Sequence, residues 1–204
     1  MPFRDHKMGW NRRRLFISAI EMNGMWMENS GTLTSQGAGA AVFSALGVAA
    51  SELTGIAMGA AGDEIYSFLP IPWDMDTGKD VWARVWFAHD ATGADTPVWK
   101  VFWKWIKKQE AISDAASSGD AAVTFDAHTC STTTGSLEVT DWAKLSLTLA
   151  ESADVGIQLS VECDNLGSAS ANEIKFLGLE LAYTVSMTGD NPNHRDTTDF
   201  DPED

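Results

Sequence analysis

Residues 80–90, DVWARVWFAHD, and residues 97–107, PVWKVFWKWIK, decide the fold of this 204-residue chain. Both segments alternate with period two, and side chains on a strand point to opposite faces in turn. Val81, Ala83, Val85 and Phe87 therefore share one face, while Trp82, Arg84 and Trp86 share the other. In the second segment Trp99, Val101, Trp103 and Trp105 line one face, opposite Val98, Lys100, Phe102, Lys104 and Ile106. Arginine and lysine are costly to desolvate inside a core, so part of this aromatic surface must be semi-exposed. Trp99, Trp103 and Trp105 are read as core, because Lys100 and Lys104 mark the other side of their strand as wetter.

Working outward, the same pattern gives strands at residues 14–20, 64–71, 155–163 and 174–185. Shorter strands are read at 42–46, 54–58, 123–125 and 136–139, and residues 25–34 continue into a hairpin. Residues 140–149 read either as a capped helical turn or as a strand. In the last strand the alternation turns Leu177, Leu179, Leu181, Tyr183 and Val185 inward, leaving Glu180 for solvent or Lys175. Many short strands with turn signals and almost no helical period mean an all-β protein. The expected architecture is an antiparallel jelly-roll-like β-sandwich at residues 14–188, with a basic N-terminal arm (1–13) and an acidic C-terminal tail (189–204).

Charge is distributed unevenly along the chain. The net value is −15, yet the first fourteen residues carry Arg4, Lys7, Arg12, Arg13 and Arg14 against Asp5 alone. The last fifteen carry six acids against Arg195. An acidic body repels phosphates, so nucleic acid is not an expected partner. No membrane span is expected either, since the alanine-rich stretch 37–62 is diluted by glycine and polar residues. The N-terminus lacks the apolar run of a cleavable signal. Cys130 and Cys163 are the two cysteines, too few to define a redox compartment.

Catalytic spacings are not found. His6, His89, His128 and His194 fall in no metal-ligand or nucleophile motif, and no phosphate-binding glycine loop is present. Asp74, Asp76 and Asp80 resemble the opening of a calcium loop, but the downstream glutamate is missing and Lys79 intrudes. A strand-to-strand turn uses Asp and Gly for backbone reasons alone, so that reading is preferred and no metal or cofactor is expected. Trp82, Arg84 and Trp86 combine aromatics with arginine, the composition enriched at protein interfaces, and form the candidate subunit contact. A glycan-binding platform is the alternative for the same face, and a glycan hydrolase would need two facing carboxylates that no spacing selects.

The order EIYSFLPIPWDMD, VWARVWFAHD, WKVFWKWIKK and, near the end, NEIKFLGLELAYTV resembles a group of jelly-roll virion structural proteins of tailed bacteriophages. The likeness covers roughly residues 64–107 and 172–185 and is one of pattern. It implies a non-enzymatic capsid decoration or cement protein on the virion, the capsid surface being favoured over the tail. The implied partners are the major capsid protein and neighbouring copies, with a homotrimer favoured. Arg4, Lys7, Arg12, Arg13 and Arg14 would then form a contact arm. A carbohydrate- or receptor-binding module on a phage tail is the alternative function.

Overall fold

The computed structural model describes residues 12–22, 25–26, 42–45, 54–72, 75–76, 78–107, 121–146, 155–170 and 173–185. In chain order these form β1 (Arg12–Ser18), the single turn α1 (Ala19–Met22), β2 (Met25–Trp26), β3 (Val42–Ala45), β4 (Thr54–Ala57) and β5 (Asp63–Pro70). There follow β6 (Val81–His89), β7 (Val98–Lys107), β8 (Ala121–Thr124), β9 (Ser136–Val139), β10 (Ala143–Leu145), β11 (Val155–Asn165) and β12 (Ile174–Thr184). Every strand pairing among the described residues is antiparallel. One sheet runs β10-β6-β12-β4-β3, with β1 also on β12 and β9 also on β6; the other runs β2-β5-β11-β7-β8. The all-β, sandwich-like expectation holds.

The two tryptophan strands fall in different sheets, and their apolar faces meet. Val81, Ala83, Val85 and Phe87 from β6 pack with Trp99, Val101 and Trp103 from β7 in one core, to which β11 adds Ile157, Leu159, Val161 and Cys163. Trp99 sits between Phe87 and Phe176, its ring centroid 5.4 Å from the first and 5.9 Å from the second. Burial of large apolar side chains between two sheets is the main favourable term holding such a sandwich together.

Local chemistry explains where elements depart from the sequence pattern. β1 starts at Arg12, because β12 extends far enough to pair Arg12 with Thr184 and Arg13 with Tyr183. It stops at Ser18, where a capping box takes over: Ser18 N donates to Glu21 Oε2 at 2.8 Å and Glu21 N to Ser18 Oγ at 3.3 Å. That reciprocal pair starts a helical turn where a strand was expected to continue to residue 20. Residues 143–145 are a strand rather than a capped turn, because Thr140 N and Oγ1 both bond to Val85 on β6 and steer the chain alongside it.

One inward-facing assignment is overturned. β12 shifts register against β6 between Phe176 and Gly178, so Ile174 and Phe176 join Leu179 and Leu181 in the core, while Leu177 is half-buried. A bulge inserts one residue and reverses side-chain parity, which simple alternation does not reveal.

Cys130 and Cys163 are buried, unpaired thiols. Burial, reinforced by neighbouring carboxylates, pushes both up to about 12, far from the thiolate form that reacts. A thiol-specific disulfide reagent is expected to label neither cysteine in the native protein and both on unfolding. Rapid labelling of the native chain would contradict this placement.

Candidate interaction face

The outer face of the larger sheet is built row by row from five strands, β1, β12, β6, β9 and β10. Register sets Arg14, Ala182, Trp82 and Lys144 in one row, and Phe16, Glu180 and Arg84 in the next. Gly178, Trp86 and Val139 follow in a third row. Strand parity put Trp82, Arg84 and Trp86 on this face in the sequence, and the structure adds Arg14, Phe16, Trp142 and Glu180 around them.

Glu180 organises the group. Its Oε2 accepts hydrogen bonds from Arg84 Nε at 2.7 Å and from Trp86 Nε1 at 2.8 Å. Arg14 Nη1 lies 3.7 Å from Oε1. The Glu180 side chain is only 8% exposed and that of Arg84 19%, so these charge-assisted bonds operate where water competes poorly. Its expected place in solvent or beside Lys175 is thereby corrected: Arg84 stands directly opposite it on β6, and Lys175 bonds instead to Asp90.

Guanidinium groups lie against the Trp86 and Trp142 indoles. Arg84 lies 5.0 Å from the Trp86 ring and 4.5 Å from the Trp142 ring, and Arg14 lies 5.5 Å from Trp142. Such stacking is attractive through the ring quadrupole and keeps long side chains in one orientation. Phe16 meets Trp86 edge-on, with centroids 6.2 Å apart. Gly178 makes this possible, since a Cβ there would stand 2.4 Å from Phe16 Cζ and 2.7 Å from the Ile17 carbonyl oxygen. Phe16 is 47% exposed and Leu137, on the neighbouring edge of the same face, 62%. The result is an aromatic and cationic patch with two exposed apolar side chains, Phe16 and Leu137, at its edges.

Of the other candidate residues, Arg14 joins this face. Arg12, Arg13 and Arg14 begin β1 within the sheet, whereas Arg4 and Lys7 lie outside the described residues. Asp74 also lies outside them. Asp76 is buried and holds its own turn, accepting a hydrogen bond from Gly78 N at 3.0 Å. Asp80 is an ion-pair partner of Lys144, 2.5 Å away. These two carboxylates thus have different partners.

A second polar constellation closes one end of the sandwich. His89 is fully buried; its Nε2 bonds to Asp95 at 2.7 Å and its Nδ1 to the Ser131 carbonyl at 3.1 Å. Ser168 Oγ donates to Asp95 at 2.7 Å. These bonds hold the Asp95 carboxyl below its ordinary range, the Ser168 bond most of all. His128 and Glu138 pair nearby at 2.9 Å. An open polar cavity of about 440 Å³ lies above, lined by Asp90, Thr92, Asp95, Thr134, Ser168 and Glu173 among others. Its Asp90 and Asp95 are engaged with Lys175 and His89, so this network ties three loops together.

No protein-family model, no curated protein and no solved structure matches this chain.

Proposed function

We propose that this protein is a non-enzymatic assembly component, docking on neighbouring copies of itself through the face centred on Trp82, Arg84 and Trp86. The observation that carries this reading is the state of the indoles. The Trp86 and Trp142 rings lie against guanidinium groups held by Glu180, so they are poorly placed to stack on a sugar ring but well placed to meet a protein surface. Aromatic and arginine anchors surrounded by exposed apolar side chains are the composition of an interface centre.

The strand order supports reading the sandwich as a jelly roll. Four-strand sets β1-β12-β6-β9 and β5-β11-β7-β8 face each other, and the consecutive strands β5, β6 and β7 alternate between sheets, as in two interlocked Greek keys. Together with the likeness to tailed-bacteriophage virion proteins, this favours a capsid decoration or cement role on the virion, with a trimer as the assembly unit. Such a protein acts by mass action: binding only the assembled shell and not its free parts, it stabilises the shell.

Phe16→Ser combined with Leu137→Asp tests the face while sparing its buried ion pair. Self-association measured by sedimentation velocity should weaken at least about tenfold, one charge buried against an apolar patch being sufficient for that. The melting temperature should stay within a few degrees. A native chain that is monomeric at all concentrations, or a variant that associates as tightly as the native chain, sinks the proposal.

A further inference from the structure

The outer face of the smaller sheet carries one row of side chains across four strands: Glu64 on β5, Glu162 on β11, Lys100 on β7 and Thr124 on β8. Like charges directly opposite each other across a strand pair are destabilising. Yet Glu64 and Glu162 stand directly opposite each other in the register of β5 and β11. An ionised carboxylate only accepts, so a bond between the two carboxyls needs a proton held between them. In the adjoining row the buried Tyr66 hydroxyl donates to Glu64 Oε2 and buried Ser160 Oγ to the same oxygen at 3.5 Å, bonds that hold the carboxyl in place; the Ser160 bond draws Glu64 down, less than burial raises it.

Lys100 faces Glu162 from β7 and its charge draws both carboxyls down, less than burial raises them, while its Nζ donates to Asp164 at 3.1 Å. Lys104 stands two rows away opposite Gln158, and the residues β2 pairs with β5, Met25 and Trp26, carry no charge. Among the described residues, the acidic groups facing the pair are thus Asp164 and the pair itself.

We infer that Glu64 and Glu162 form a proton-operated clasp between β5 and β11, closed while one proton is held between the two carboxyls and slack once both ionise. Burial first, and then the neighbouring charge of Glu162, raise Glu64 to about 7; burial raises Glu162 as well. These are properties of the coupled pair. In the unfolded chain both groups ionise near their ordinary 4.5, so the folded protein retains a proton the unfolded one has released. The clasp's contribution is therefore fully present below that ordinary value and is lost as pH rises through about 7.

Hydrogen exchange on the full chain reads the clasp directly. Between about pH 5.5 and 8, protection of the β5 amides, corrected for intrinsic exchange, should fall roughly tenfold or more. In Glu64→Gln the profile should be flat, because the side-chain amide donates to Glu162 at every pH. The same slope in both proteins overturns the inference. Should Glu64→Gln fail to fold, carbon-13 titration of the glutamate carboxyls in the native chain decides: one of the two groups titrating near neutrality supports the clasp, and both titrating below about pH 5 overturns it.

Discussion

Trp99→Ala is expected to destabilise the protein by about 3–5 kcal/mol, lowering its melting temperature by on the order of 10 °C. Trp99 is fully buried, and its ring bridges Phe87 of one sheet and Phe176 of the same sheet's central strand β12. Truncation removes the largest fully buried side chain and leaves a void facing two aromatic rings that belong to paired strands and cannot easily close in. Trp99→Phe should cost far less, roughly 1–2 kcal/mol, since it keeps an aromatic ring between the sheets and the indole Nε1 has no protein hydrogen-bond partner to lose. Thermal or denaturant unfolding checks both. Equal losses from the two substitutions would mean that the core does not depend on ring packing at this position.

Glu180→Gln is the second large effect, expected at about 2–3 kcal/mol at neutral pH. The amide retains the shape of the carboxyl and can still accept from Trp86, but it leaves the Arg84 guanidinium, largely withdrawn from water, without a counter-charge. The partial exposure of Arg14 and Arg84 brings the figure below that of a fully buried pair. Replacing both partners, Arg84→Leu with Glu180→Leu, should recover most of the loss, since cross-strand apolar pairs suit a half-covered sheet face. Denaturant midpoints of the two variants make the comparison. A double variant as unstable as Glu180→Gln would show that the loss comes from backbone or packing strain rather than from an orphaned charge.

The legible part of the fold was the part governed by alternation. Val81, Ala83, Val85 and Phe87 face the core and Trp82, Arg84 and Trp86 face away because strand geometry enforces parity within a segment. Parity fails only where the backbone inserts a residue, as at Leu177. Short signals were harder to read: the Ser18 and Glu21 capping box overrides a plausible strand, and Thr140 serves a strand junction although its residue type equally suits a helix cap. Glu180 was misplaced for a different reason. Its partner Arg84 lies 96 positions away in sequence, and register between strands so distant is fixed by the whole sandwich rather than by neighbours. The same limit hid the Glu64 and Glu162 pair, two unremarkable glutamates until β5 and β11 align them.

The sheet order also bears on how the molecule is made. β12 lies between β6 and β1 and supplies the middle of its sheet, although it is the last described strand to leave the ribosome. A nascent chain must keep the aromatic strands β6 and β7 without their principal partners until β11 and β12 have emerged. Closure therefore waits on distant pairings, which are slow to form. Until then the tryptophan-rich segments carry unpaired strand edges and uncovered apolar faces, the features that make incomplete chains prone to aggregate.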